Sequence, residues 1–343
     1  MRILIPGGSG FIGSSIAVFL KNNIKNCHIL SLDNLSRKTS ILNVKKLNEH
    51  NITNIKLNLS SSIALSKIKQ KFDFIIDCCA EPAVEVAKHD RSLVFDSNLK
   101  STLNILEKAK KDNSKIIYLS TSRVYSIDKI NDLFKNIAYK KKLQKKIFID
   151  EKFSTNSPIS LYGFTKLSSE ILIKEYSYLF NLKYIINRCG VISGKGQYGK
   201  QDQGFVSLWL WRHLRNKSLK FQGYGGYGNQ VRDVLDIEDL CELIKEQIFR
   251  IKKIKNATFN VGGGLKNSLS LKELTSYSQD ITKNHLNIKK SVKTSNYDIR
   301  YYITNNKKVY SKYKWRVKKD MEKIIKETFD GLKENHKQLL KIL

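Results

Sequence analysis

The chain is 343 residues long, with 41% hydrophobic and 10% aromatic residues. That is ample apolar material for one large or two coupled domains, and it excludes a disordered or collagen-like polymer. Lys and Arg number 62 against 31 Asp and Glu, a formal net charge of +31, but the lysines are scattered through every segment. The charge therefore favours anionic ligands in general and names no nucleic acid or membrane partner. Five cysteines, Cys27, Cys78, Cys79, Cys189 and Cys241, contain no C-x-x-C pair. This argues against a disulfide framework and against a metal site, and predicts a reducing, cytoplasmic setting. Pro6, Gly7, Gly8 and Gly10 interrupt the N-terminal apolar stretch where a secretory signal would be continuous, and no run approaches the roughly 20 apolar residues of a membrane span.

In chain order, short apolar runs alternate with helix-period segments. RILI is followed by FIGSSIAVFL, CHILSL by a polar stretch, and then come NIKLNL, FDFIID, a helix near 90–111, KIIYLS, a helix near 159–180 and KYIINR. Apolar runs spaced by helices are what a parallel sheet covered on both faces requires, so the pattern predicts a doubly wound α/β fold of the Rossmann type. Residues 126–155, with the run KKKLQKK, read as an insertion over the sheet's edge. After about residue 190 glycines 194, 196, 199, 204, 223, 225, 226 and 228 punctuate the pattern. Shorter strands, VRDVL and ATFNV, there mix with helices near 205–216, 237–252 and 318–341. The expected organisation is a dinucleotide-binding domain over 1–190 and a smaller mixed α/β substrate-binding domain over 191–343, some of whose segments return to the first sheet. The last helix carries the ordinary apolar stripe of a surface helix.

GGSGFIG at 7–13 follows the first strand and opens a helix. Glycines 7, 10 and 13 permit a tight turn, close approach of a pyrophosphate and close seating of the helix, whose N-terminus favours an anion. The next apolar strand ends at Asp33, about 20 residues past Gly13, the spacing at which an acid binds an adenosine ribose. Asp33 would repel a 2′-phosphate, so NAD is the expected cofactor, although Arg37 and Lys38 leave NADP as an alternative. Further along, Tyr162-Gly-Phe-Thr-Lys166 places Tyr162 and Lys166 on one helical face. A lysine ammonium together with a cationic nicotinamide would favour the phenolate of Tyr162, letting it take a proton from a sugar hydroxyl. The strand before that helix ends in Ser120, Thr121 and Ser122, at the carboxyl edge where parallel sheets bind ligands.

GGSGFIG, Asp33, STSRVY at 120–125 and YGFTK at 162–166 resemble the extended short-chain dehydrogenase/reductase superfamily of nucleotide-sugar epimerases and dehydratases. DNLSRK at 33–38, DQGFV at 202–206, GNQVRDVLDIEDL at 228–240 and FNVGGGLKNSLSLKEL at 259–274 are similar to its CDP-hexose 2-epimerase branch. The likeness is weakest at 126–155 and past 316. It implies Thr121, Tyr162 and Lys166 as catalytic residues. It implies a cofactor groove of Gly7, Gly10, Phe11, Ile12, Gly13, Asp33, Asn34, Ser36, Arg37, Asn58, Leu59, Cys79, Ala80, Tyr162, Lys166 and Cys189. It implies a substrate site of Glu81, Ser122, Arg123, Gln203, Gly204, Gln230, Arg232 and Arg300, in which the arginines would grip a diphosphate bidentately. Pro6, Asn58, Glu81, Ser126 and Val191 depart from the superfamily's usual residues. The 4,6-dehydratases carry Asp-Glu after the Thr, and here the pair is Ser122-Arg123, which implies oxidation and re-reduction at one carbon instead of elimination. The expected activity is epimerisation at the 2-position of a CDP-hexose, serving surface polysaccharide synthesis, by a homodimer formed through two sheet-side helices. The alternatives are a UDP-sugar 4-epimerase or other nucleotide-sugar oxidoreductase, and a non-catalytic dinucleotide sensor or RNA-binding protein of the same fold.

Overall fold

A computed structural model of the chain describes residues 1–134, 147–199 and 204–342. The first part of the chain runs β1 (Arg2–Pro6), α1 (Phe11–Asn23), β2 (His28–Asp33), α2 (Ser40–Glu49), β3 (Thr53–Lys56), α3 (Ser62–Ser66), β4 (Phe74–Asp77), α4 (Val86–His89), α5 (Arg91–Phe95), α6 (Ser101–Asp112) and β5 (Lys115–Thr121). It continues through α7 (Ile127–Asp132), α8 (Ser160–Phe180), β6 (Tyr184–Cys189), β7 (Val191–Ser193), α9 (Phe205–Leu214), β8 (Lys220–Gln222), β9 (Val231–Asp236), α10 (Ile237–Arg250) and β10 (Ala257–Val261). The last stretch comprises β11 (Ser268–Ser270), α11 (Leu271–Thr282), β12 (Lys289–Ser291), β13 (Tyr301–Tyr302), α12 (Lys307–Tyr313), α13 (Met321–Glu334) and α14 (His336–Ile342).

Seven parallel strands form the main sheet in the order β10-β6-β5-β4-β1-β2-β3. Its central strands β1, β4 and β5 are mainly apolar because helices cover both faces. Ile3, Ile5, Ile76 and Ile117 face a core shared with Ile16, Leu20 and Ile244, while Leu4, Ile75, Ile116 and Ile186 face one shared with Leu106 and Ile173. The order reverses between β1 and β4, so the loops after these two strands open a crevice at the carboxyl edge. The outer strand, β10, comes from the segment after residue 190. A smaller mixed sheet, β11-β9-β13 with β7 also on β9, has its own cores.

The chain departs from its sequence pattern in instructive places. The helix expected near 90–111 consists of α5, a π-turn at Asp96–Lys100, and α6, with the short α4 preceding it. The wide turn accompanies an inward-facing Asn98, 1% exposed, whose amide bonds Glu81 and Thr165. The expected strand NIKLNL shortens to Thr53–Lys56, and the last helix divides at Asn335. KKKLQKK lies outside the described residues. Around it, Ile127, Ile130, Phe134 and Ile149 are buried with Tyr301 and Tyr302, and the Asn260 amide donates to Ile149 O at 2.9 Å, covering the free edge of β10.

Helix α8 is clamped to the sheet by a buried ion pair. Glu170 accepts from Arg188 Nη2 at 2.7 Å and Nε at 3.0 Å, and from the Ser120 hydroxyl at 2.6 Å. Arg188 Nη1 also donates to Tyr125 Oη at 3.2 Å, and the Tyr125 hydroxyl to Asn260 at 2.6 Å. Glu170→Ala leaves the guanidinium buried without its counter-charge and is expected to cost about 3–5 kcal/mol in urea unfolding. A loss below about 1 kcal/mol would show that α8 does not depend on the pair.

Candidate active site

Three positions of the turn between β1 and α1, Gly7, Gly8 and Gly13, have no room for a side chain. Gly7 takes a φ of +71°, and a Cβ there would lie 2.8 Å from the Cys78 carbonyl and the Cys79 nitrogen, while at Gly13 it would lie 2.3 Å from Gly7 O. These two glycines let β1, the segment after β4 and α1 close on one another. At Gly10 a Cβ would meet only Gly7 O, at 3.2 Å, and no side chain caps α1. The first intrahelical bond runs from Ser14 N to Gly10 O at 3.0 Å, so the N–H groups of Phe11, Ile12 and Gly13 lie in an uncapped first turn that favours an anion. Two residues that the sequence reading missed fix the turn: Asn54 accepts from the Ser9 hydroxyl at 2.8 Å, and Asn43 donates to Ser9 O at 2.9 Å. Polar side chains on α2 and β3 carry no spacing signal, so only the fold reveals them.

Asp33 stands at the end of β2 beside this turn. Its carboxylate accepts from Ser9 N at 3.1 Å and Leu35 N at 2.8 Å. Burial pushes its pKa up, while those N–H groups and the Arg37 guanidinium oppose the rise. Asn34 is exposed and accepts from Ser36 N at 3.0 Å. Asn58 folds its amide oxygen back onto Ser60 N at 3.1 Å, while Leu59 is buried. Cys79 and Ala80 follow β4 and are half-buried. Cys189, at the end of β6, is buried with its thiol pushed up to about 12 by desolvation. Glu81 turns its carboxylate to Arg37, Oε1 lying 3.6 Å from Nη2. A glycine cradle without side chains, an uncapped helix start and an acid at its rim suit a dinucleotide.

At the carboxyl end of β5, Thr121 Oγ1 accepts from Arg123 N at 3.2 Å and lies near enough to the Tyr162 hydroxyl to pull its pKa down. The approach of α8 to this strand end depends on Gly163, where a Cβ would lie 2.3 Å from Arg123 O. Tyr162 and Lys166 are 8% and 1% exposed. The Lys166 ammonium sits 4.0 Å from the centroid of the Tyr118 ring, and Asp77 lies within its field. The sequence reading missed both Tyr118 and Asp77. Desolvation is the largest influence on Tyr162 and raises its pKa, against the pull of Lys166 and Thr121. In the chain alone the phenol is therefore neutral, and the lysine by itself does not produce the phenolate.

On the facing side, Arg123 Nη1 donates to Tyr297 O at 2.8 Å, and its guanidinium feels Arg232, Asp298, Tyr162 and Tyr224. Burial, then the like charge of Arg232, lowers the Arg123 pKa to about 10. Arg232 Nη2 pairs with Asp298 at 3.2 Å, and the Gln230 amide reaches the same carboxylate at 3.3 Å. Arg300 lays its guanidinium over the Tyr224 ring, 4.8 Å from the centroid. Tyr224 sits in the left-handed region, with φ +48°, inside the glycine run 223–228. Gly204, with φ +74°, starts α9. Ser122 is half-buried beside Thr121, and Gln203 lies outside the described residues. Asp298, Tyr224 and Tyr297 were also missed, although the glycine run around Tyr224 marks it as a constrained loop.

These features define an α/β protein with a dinucleotide-binding type of sheet and a smaller second lobe that carries Arg232 and Arg300. Residues 3–262 match the model of the NAD dependent epimerase/dehydratase family, and the chain belongs to that family. NAD is its cofactor. CDP-paratose 2-epimerase of Salmonella typhi is 27% identical over 96% of this chain and 98% of that protein. The structure of UDP-glucose 4-epimerase from Thermotoga maritima with UDP-glucose has a TM-score of 0.81 at 23% identity, covering 98% of this chain and all of that one. UDP-glucuronic acid 4-epimerase from Bacillus cereus, solved with UDP-glucuronic acid and NAD, has a TM-score of 0.82 at 24% identity, covering 97% of this chain and 99% of that one. Among the described residues no cluster of ligands suits a metal ion, and no helix is long and apolar enough to cross a membrane.

Asp77 provides a pH test of the buried site. Desolvation, partly offset by Lys166, raises its carboxyl from 3.8 to about 6. Between those values the folded chain holds a proton that the unfolded chain has lost, so the contribution of Asp77 to stability falls as pH rises. Asp77→Asn removes that fall. Urea unfolding at pH 4 and pH 7 should show the variant gaining on wild type by up to about 3 kcal/mol at the higher pH. Parallel behaviour at both values would mean Asp77 does not titrate in this window.

Proposed function

We propose that the chain is an NAD-dependent nucleotide-sugar epimerase, and within that class a 2-epimerase of a CDP-hexose or close relative, serving surface polysaccharide synthesis. One observation carries the reading. Tyr162 is buried beside Thr121 at the carboxyl edge of the parallel sheet, with Lys166 one helical turn on. The 2-position and the CDP group draw their support from likeness to CDP-paratose 2-epimerase.

In this reading the first turn of α1 holds the pyrophosphate and Asp33 the adenosine ribose, with Asn34, Ser36, Arg37, Asn58, Leu59, Cys79, Ala80 and Cys189 completing the groove. When bound, NAD supplies a cationic ring and a reversible hydride acceptor. With Lys166 and the bound cationic ring favouring loss of the phenolic proton to solvent, Tyr162 as phenolate would take the proton of the sugar hydroxyl and become the neutral phenol. Thr121 fixes the phenol and the substrate oxygen together. Arg123 and Arg232, two guanidiniums near each other, suit the diphosphate, and Ser122, Gly204, Gln230 and Arg300 would meet the remainder of the substrate. Elimination of water needs a free acid and base beside the sugar. Here Glu170, Glu81 and Asp298 are each tied to a guanidinium, which supports epimerisation over dehydration.

Purified protein loaded with NAD is expected to invert a stereocentre of a CDP-hexose in a panel of CDP-, UDP- and GDP-sugars followed by NMR. Inversion at C4 of a UDP-sugar would replace the 2-epimerase reading, and no inversion anywhere would end it. Tyr162→Phe should keep NAD bound yet lose about 10²–10⁴ in turnover, the range for a general acid–base group. Near-normal turnover would remove Tyr162 from the chemistry.

We also propose a second copy of the chain as partner. Phe95, Leu103, Phe164 and Ile171 leave 36%, 41%, 44% and 52% of their surfaces exposed on adjacent helices, and Phe95 touches Phe164 at 5.9 Å between ring centroids. Such a face asks for a partner. Sedimentation should find a dimer that Ile171→Glu converts to monomer. A wild-type monomer at micromolar concentration would refute the proposal.

A further inference from the structure

We infer that Glu81 sets the preference for NAD over NADP by holding the Arg37 guanidinium, so that Arg37 is not available to a 2′-phosphate. The inference rests on the cofactor-site reading above and goes beyond it, because the acid at Asp33 alone would not settle the preference. A guanidinium close to the ribose acid is the usual means of accepting a 2′-phosphate. Arg37 is placed for that role, four residues past Asp33 and within its field.

In this chain Arg37 has a second carboxylate to answer to. Its Nη2 lies 3.6 Å from Glu81 Oε1, and the two side chains are 30% and 14% exposed. Glu81 is held from several directions. Its backbone N donates to Asn98 Oδ1 at 2.8 Å, its carbonyl accepts from Asn98 Nδ2 at 3.3 Å, and its carboxylate accepts from Ala83 N at 3.1 Å. Asn98 Nδ2 donates to Thr165 Oγ1 at 3.0 Å, and the Thr165 hydroxyl donates to Tyr162 O at 2.9 Å. Glu81 is thus pinned to the helix that carries Tyr162, whereas Arg37 stands on the loop after β2. The flexible arginine comes to the fixed carboxylate. A 2′-phosphate would have to draw Arg37 away from Glu81 while approaching the negative Asp33, and both steps oppose it. The neighbouring cation, Lys38, is exposed.

The test is a double-mutant cycle on the full chain, reading equilibrium dissociation constants for NADH and NADPH by fluorescence titration. Glu81→Gln should shift the NADPH to NADH affinity ratio towards NADPH by roughly tenfold, the scale of one additional charge-assisted hydrogen bond. Arg37→Gln in that background should cancel the shift, while Arg37→Gln alone should leave the ratio near that of wild type. An unchanged ratio in Glu81→Gln with NADH still bound overturns the inference. So does a large loss of NADPH affinity in Arg37→Gln alone, a result that stays readable even if Gln at position 81 prevents folding. Wild type binding neither cofactor would instead overturn the site reading itself, and the inference with it.

Discussion

The close seating of α8 against the end of β5 is the constraint on which the site depends. Tyr162 and Lys166 come from the helix and Thr121 from the strand, and they meet only because residue 163 has no side chain. A methyl group there would fall 2.3 Å from the Arg123 carbonyl, with backbone that has nowhere to move. Two helical turns further on, Glu170 fixes the same helix through Arg188 and Ser120. Ser120 is the residue before Thr121, so one carboxylate ties the helix to the strand end it must meet. Arg188 extends the clamp through Tyr125 to Asn260 on β10. The clamp therefore spans three neighbouring strands of the sheet, and the Tyr162, Lys166 and Thr121 side chains inherit its rigidity.

Burial sets the electrostatics of this region, and each charge has an identifiable answer. Lys166 has the face of Tyr118 and the field of Asp77. Arg188 has Glu170, Arg232 has Asp298, and Arg37 has Glu81. Arg123 is the least compensated: its side-chain bond is to a neutral carbonyl, and the like charge of Arg232 adds to the cost of burying it. A pair of guanidiniums brought together in this way is stabilised by an anion arriving between them, which is the opposite of a structural ion pair.

Much of this was legible in the sequence, for reasons that differ by element. The glycine turn and Asp33 could be read because their relation is local spacing along one βαβ unit. Tyr162 and Lys166 could be read because an interval of four residues is one helical turn. The parallel sheet could be read because strands shielded on both faces must be apolar throughout, as Ile3, Leu4 and Ile5 are. What stayed hidden depends on partners far apart in the chain. Asp298 meets Arg232 across 66 residues, Asn98 meets Thr165 across 67, and Asn54 meets Ser9 across 45. The π-turn at Asp96–Lys100 escaped for the same reason, since the apolar period of that segment reads as continuous helix and the inward turn of Asn98 answers to Glu81 and Thr165. Nothing in the spacing of Asn58 shows that its amide oxygen folds back on Ser60.

The neutral phenol of Tyr162 bears on how the parts work together. A tyrosine already ionised would attract protons from any donor that entered, whereas here desolvation outweighs Lys166 and keeps the proton in place. On the proposed function, further positive charge would have to arrive before the phenol became an effective base at neutral pH, and the cationic ring of bound NAD would supply it. Proton transfer would thereby be tied to occupancy of the glycine turn, although the turn and the phenol sit on different elements. The buried surroundings that raise the pKa also strengthen the effect of any added charge, because the same low polarity governs both. On that proposal a buried base of this kind would be inactive in the empty site and responsive in the loaded one, which would suit a reaction whose two halves share a single cofactor.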